Sequence, residues 1–168
     1  MRFVEGTVEI GGDRFEDVDA FVERTAETAA EHDVTIQAFD ARYVVSERHL
    51  ERAAELADRE RERGDAIARD RGIEILLYAA GRRQIEQALE MGVSPGTTPV
   101  VVLVDGAGDE DAAADAIAAA MTPEPTLGAY DGRTVREFYD ISDRELEATD
   151  AGIEALVTER VTLLVVER

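Results

Sequence analysis

Five consecutive apolar residues, Val100-Val101-Val102-Leu103-Val104, constrain this chain more than any other stretch. Four of the five are β-branched, so the run reads as a strand, and a strand with no polar face must be covered on both sides. Thr97-Thr98-Pro99 leads into it. The cover is found in helical patterns elsewhere. From Asp17 to His32, Val18, Phe21, Val22, Thr25, Ala26 and Ala29 recur at helical spacing with acids opposite. Ser46 can cap a helix whose stripe of Leu50, Ala53, Ala54 and Ala57 stops at Gly64. A third helix is expected over about 67–80 and a fourth over about 82–91, ended by Gly92. An Ala-rich helix spans 109–121, and Pro123 and Pro125 break the chain after it. Short helices are expected near 133–138 and 142–148, the latter opened by a Ser142/Glu145 capping box. A last helix runs from Asp150 to about Arg160, and residues 162–166 read as either helix end or strand.

Two further strands accompany the central one. Residues 2–10 alternate, with Val4, Val8 and Ile10 on one side and Phe3, Glu5, Thr7 and Glu9 on the other, before a Gly11-Gly12-Asp13 turn. Val34 to Phe39 is the second short strand. With no internal repeat and no long linker, residues 1–168 read as a single α/β domain: a small mixed β-sheet packed with several α-helices. A chain of 168 residues is long enough to bury roughly two-thirds of its unfolded surface.

The net charge of −20 argues at first against nucleic acid, because phosphates repel an acidic surface. But every basic residue is Arg, with no Lys anywhere. Abundant acids, no Lys and many small residues resemble the proteins of cells that keep molar salt in the cytoplasm. At 1 M salt the Debye length falls to about 3 Å, so the acidity reports on the solvent and not on the partner. The competing reading is an acidic protein that seeks a basic partner. No apolar run approaches the ~20 residues of a membrane span. The N-terminal residues do not form a signal peptide, and there is no Cys. The expected location is the cytoplasm, away from membranes.

The Arg residues cluster. Residues 42–83 hold ten Arg and nine acids, a net +1, whereas the rest of the chain carries −21. Arg suits RNA, because its planar fork pairs with phosphate and its face stacks on bases. The plainer reading of 48–63 is a solvated helix face of alternating charges, with Glu55 and Arg59 at i,i+4 spacing. Arg82-Arg83 is different: it stands just after Gly81 at an expected helix start, where cations oppose the helix dipole.

Catalytic signatures are missing. Gly106-Ala107-Gly108-Asp109-Glu110-Asp111 follows a strand and opens a helix, but it lacks the third glycine and puts acids where a pyrophosphate would sit. Without Lys there is no phosphate loop. His32 and His49 have no partners at metal-ligand spacing.

The segment from Glu74 to Leu89, Glu-Ile-Leu-Leu-Tyr-Ala-Ala-Gly-Arg-Arg-Gln-Ile-Glu-Gln-Ala-Leu, resembles the signature stretch of the KEOPS-complex kinase-binding subunit family (TPRKB, PRPK-binding-protein-like). Gly92 and Val100 to Val104 continue that family's order. Ile36 to Ala41, Tyr43 to Val45 and Val157 to Arg160 agree with it too. The resemblance implies a non-enzymatic α/β subunit without a cofactor. It implies binding to the small KEOPS kinase subunit and, as in archaea, to the 3′ CCA end of tRNA, with other KEOPS subunits reached indirectly. The complex installs threonylcarbamoyl on the adenosine beside the anticodon, and catalysis lies in a different subunit. Arg82, Arg83, Gln84 and Ile85 match the motif and are the first candidates for the RNA surface. Arg69, Arg71 and Tyr78 follow from charge and proximity. For the kinase, the C-terminal helix offers Ile153, Leu156, Val157 and Val161 at helical spacing, against the alternative of ordinary core packing. Two rivals remain. One is a protein-only adaptor, which requires the Arg residues of 69–83 to be paired with acids. The other is a metal-dependent enzyme built on Asp105, Asp109 and Asp111.

Overall fold

The computed structural model describes residues 1–166. In chain order the elements are β1 (Arg2–Ile10), α1 (Val18–His32), β2 (Thr35–Asp40), α2 (Glu47–Glu62), α3 (Arg71–Ala80) and α4 (Ile85–Ala88). They continue with β3 (Gly96–Asp105), α5 (Glu110–Ala119), β4 (Thr122–Pro123), α6 (Gly132–Phe138), α7 (Asp143–Ala148) and α8 (Gly152–Val166). Short 3-10 turns occupy Ala41–Tyr43 and Leu89–Met91. The α/β class is as expected. The chain forms two compact units, each drawn from two stretches: residues 1–41 with 92–126, and 42–91 with 127 onward.

The first unit holds the sheet, in the order β2-β3-β1-β4. The expected mixed sheet is corrected here: every pairing is antiparallel, because hydrophobic alternation fixes a strand's faces and not its partner's direction. β3 is central, and Val100 to Val104 are fully buried, as a run without a polar face requires. One face brings Val8, Ile10, Ile36, Ala38, Val100 and Val102 against Phe15 and Phe21 and the Ala-rich side of α5. Asp17 caps α1, accepting from the Ala20 N–H at 2.8 Å, and Asp109 caps α5 in the same way. Val22, counted in the α1 stripe, is instead about half exposed. β4 went unseen in the sequence. It is two residues long and pairs only Gly6 and Thr7, too short for any periodicity.

The second unit is helical. Ser46 caps α2, and the expected stripe of Leu50, Ala53, Ala54 and Ala57 is buried. α3 starts four residues later than expected. Asp70 caps it, and the Glu74 carboxylate accepts from the Ile67 and Ala68 N–H groups at 3.0 and 2.6 Å, holding that stretch as loop. Burying Leu76 and Leu77 completely contributes about 1.5–3 kcal/mol each. Gly81 ends α3 at φ 62°, and the Arg82 N–H reaches back to the Leu77 carbonyl at 3.0 Å, which closes a Schellman motif. The expected helix over 82–91 shrinks to the single turn α4 and a 3-10 turn, because Gln84 is extended and offers no side-chain cap. Ser142 caps α7, but Glu145 turns to Arg160, so only half of the capping box forms. Residues 162–166 are helix.

Candidate functional site

The α3–α4 junction presents the motif. Arg82-Arg83 does not stand at a helix start, as its place before an expected helix over 82–91 implied: the pair follows the C-terminal end of α3, where cations are favourable. The two side chains then part. Arg82 is half-buried, its guanidinium lies 5.0 Å above the Phe138 ring, and its Nη2 donates to the Phe138 carbonyl. Arg83, Gln84 and Ile85 are exposed, Ile85 at 45%. Arg82 therefore works inside the fold, while its three neighbours face solvent.

The second-rank candidates divide as well. Arg71 holds Asp58 bidentately at 2.7 and 2.8 Å. Arg69 is exposed. Tyr78 is 1% exposed, so its ring cannot stack on a base, and it leaves the RNA set. The 3.6-residue period of α3 puts it on the apolar side with Ile75. Much of the basic cluster is used at home. Arg48 and Arg52 meet Glu55, Arg59 and Arg63 flank buried Glu60, and Arg61 donates to the Ala68 and Arg69 carbonyls. Arg69 and Arg83 have no side-chain partner among the described residues. A protein-only adaptor required the Arg residues of 69–83 to be paired with acids, and only Arg71 is.

Arg82 belongs to a larger knot at the end of α6. Arg160, from α8, donates to the Tyr139 carbonyl at 3.0 Å and the Asp140 carbonyl at 3.1 Å, so guanidinium groups satisfy three successive carbonyls there. The Tyr139 hydroxyl donates to the Ala79 carbonyl at 2.8 Å. His49 Nε2 lies 2.8 Å from the same carbonyl, and the Val45 N–H points to Nδ1 at 3.3 Å. That arrangement is a neutral imidazole with its proton on Nε2. Burial lowers the His49 pKa to about 4, although the bond to Ala79 acts the other way. Burial also raises the Tyr139 hydroxyl well above 10, with Arg82 opposing. Nothing in the sequence links His49 to a tyrosine 90 positions away, so this network was missed.

On α8, Leu156, Val157 and Val161 are buried at 8%, 0% and 0%. They are core residues, which sets aside the kinase surface expected from them. Ile153 is half-buried, and Val166 is 74% exposed. The acidic turn does not converge. Asp105 meets the Met1 amino group at 3.2 Å, Asp109 caps α5, and Asp111 pairs with Arg2. No group of three metal-ligating side chains forms among the described residues. Among those residues, no helix is long and apolar enough to cross a membrane.

The fold is that of a small α/β protein in which Arg83, Gln84 and Ile85 stand exposed together at the α3–α4 junction. The family model described as kinase binding protein CGI-121 matches residues 15–164, and the chain belongs to that family. Comparison with individually curated proteins gives no match.

Proposed function

We propose that this chain is the non-catalytic, kinase-binding subunit of a KEOPS complex in the cytoplasm of a salt-adapted archaeal cell. It also binds the 3′ CCA end of tRNA and so supports threonylcarbamoyladenosine formation. The family match carries the kinase half of this reading. The tRNA half rests on the resemblance of the 74–89 stretch and on one observation: Arg83 and Arg69 are exposed cations without a partner among the described residues. Gln84 and Ile85 stand exposed beside Arg83. At molar salt a duplex cannot be held by charge, so an unpaired end, with bases open to stacking and edge contacts, is the favoured target. Arg71 and Arg82 support this surface from inside and do not lead it.

The kinase is assigned to the outer side of α8 towards Val166; Ile153, three and four residues before Leu156 and Val157, shares their inward side and leaves the kinase set. That helix is apolar on nearly every side near its end, Val161-Thr162-Leu163-Leu164-Val165-Val166, yet only Val161 and Leu164 of this stretch are buried. A helix apolar all round calls for cover on its outer side as well. The test is tRNA affinity for the parent and for Arg69→Glu/Arg83→Glu, with intact tRNA and tRNA lacking its last three nucleotides, alongside co-purification of the kinase. Losing two charge-assisted contacts should weaken tRNA binding by roughly 2 kcal/mol or more and leave the kinase bound. Equal affinity for trimmed and intact tRNA would sink the CCA reading.

A further inference from the structure

Arg69 is an exposed cation in the stretch between α2 and α3, and the backbone that carries it is anchored on both sides. The Glu74 carboxylate, fully buried on α3, accepts from the Ile67 N–H at 3.0 Å and the Ala68 N–H at 2.6 Å. From α2, Arg61 Nη1 donates to the Ala68 carbonyl at 3.2 Å and to the Arg69 carbonyl at 3.1 Å. Just beyond Arg69, the Asp70 side chain accepts from the Ile73 N–H at 2.9 Å, and Arg71 holds Asp58. We infer that Glu74, helped by Arg61, is a positioning residue for RNA binding: it fixes the loop so that the Arg69 guanidinium meets a phosphate of the bound strand already in place. The inference rests on the RNA reading above and adds the buried carboxylate on which its Arg69 contact depends.

The loop needs such an anchor because it has no apolar one. None of residues 63–70 is buried, and only Ile67 and Ala68 are half-buried. Hydrogen bonds, not packing, therefore set its shape. The choice of Glu at 74 is not explained by stability alone. Its neighbours on α3 from Ile75 to Ala80 are all buried, and a carboxylate taken out of water among them is costly unless its oxygens are used. A well-packed apolar side chain in such a place is often neutral or stabilising. It would leave the Ile67 and Ala68 N–H groups without their acceptor and the loop untied.

Salt sharpens the requirement. At 1 M the Debye length is about 3 Å, so a cation acts on a phosphate only in contact. A long side chain on a mobile loop loses conformational freedom when it makes that contact, and a backbone fixed beforehand reduces the loss.

The test is a double-mutant cycle on tRNA affinity in ~1 M KCl, with the parent, Glu74→Gln, Arg69→Gln and the double variant. An amide keeps one acceptor oxygen but turns its NH2 towards the second backbone N–H, so Glu74→Gln releases one tie of the loop. Arg69→Gln should weaken binding about fivefold or more, and Glu74→Gln should come close to that loss by itself. The double variant should stay within about twofold of Arg69→Gln, because both changes remove the same contact. Losses that multiply, to about twenty-fivefold in the double variant, overturn the inference, since Glu74 then acts on the fold whether or not Arg69 is present. So does parent-like binding by either single variant. A parent that binds no tRNA overturns the RNA reading itself, and this inference with it. If Glu74→Gln fails to fold, Arg61→Lys carries the same cycle from the partly exposed side: it keeps the charge without the guanidinium that ties the two carbonyls, and its loss should likewise vanish beside Arg69→Gln.

Discussion

Acid should destabilise this fold through one residue, His49. Its ring is fully buried, and its pKa falls from 6.5 to about 4 on folding. Above pH 6.5 neither state holds the extra proton, and the group costs nothing. Between pH 6.5 and about 4 the unfolded chain binds a proton that the folded chain refuses, so stability falls as pH falls. Below about 4 both states are protonated and this loss stops growing. At 1.36 kcal/mol per pH unit, the whole window is worth about 3 kcal/mol, an appreciable share of a typical domain's 5–15 kcal/mol. The geometry explains why the folded state cannot simply adapt. A proton on Nδ1 would face the Val45 N–H, turning an accepted hydrogen bond into a clash of two donors.

The assay is urea unfolding at several pH values from about 7.5 to 4 in ~2 M KCl, so that repulsion among the carboxylates is screened. The comparison protein is His49→Gln, whose amide can still donate towards Ala79 but cannot titrate. The parent should lose about 3 kcal/mol more than the variant across the window, with the steepest difference between pH 6 and 4.5. Parallel pH profiles for the two proteins would refute the reasoning, because the carboxylates common to both would then account for the whole dependence.

Other outcomes follow from the same structure. The thermal midpoint should rise between ~0.1 M and ~2 M KCl as screening relieves the repulsion of twenty net charges, and a flat response removes the salt-adaptation reading. Gly108→Ala should destabilise by about 1–3 kcal/mol or more in denaturant titration, since a Cβ there would stand 1.8 Å from the His32 carbonyl oxygen. Gly132→Ala meets open space at the start of α6 and should be neutral or slightly stabilising. Arg82→Gln should cost roughly 1–3 kcal/mol through the lost Phe138 contacts, whereas Arg83→Gln should stay within about 0.5 kcal/mol. Equal stability of those two variants would contradict the separate roles assigned to the pair.

What could be read in advance follows the range of the physical signal. Caps at Ser46 and Ser142 and the buried run from Val100 to Val104 depend on residues a few positions apart, and they stand where the sequence puts them. The two compact units could not be read, because the chain crosses between them at 41–42, 91–92 and 126–127 without a linker. On α8, a stripe of apolar residues looks the same facing a core as facing a partner, and burial alone separates Leu156, Val157 and Val161 from Val166. The site was half legible. The motif located the α3–α4 junction, but the role of Arg82 depends on Phe138, 56 positions away.

A chain without Lys has to make guanidinium groups serve two purposes. Inside the second unit they act as multi-donor staples, with Arg61, Arg82 and Arg160 each donating to backbone carbonyls and Arg71 clamping a carboxylate. A Lys could supply the charge, but not a planar fork that bonds two acceptors at once. Charge counting over 42–83 therefore overstates the positive potential offered to a ligand, since most of those cations are already engaged. What is left at the surface is sparse: Arg69 and Arg83, with Gln84, Ile85 and Glu90 nearby. Few phosphate contacts mean a shallow dependence of affinity on salt, since each neutralised phosphate on a single strand contributes a slope of only about −0.7. A surface that relies on stacking and base edges loses least when the solvent is molar salt, so sparse exposed charge and the acidic composition point to the same mode of recognition.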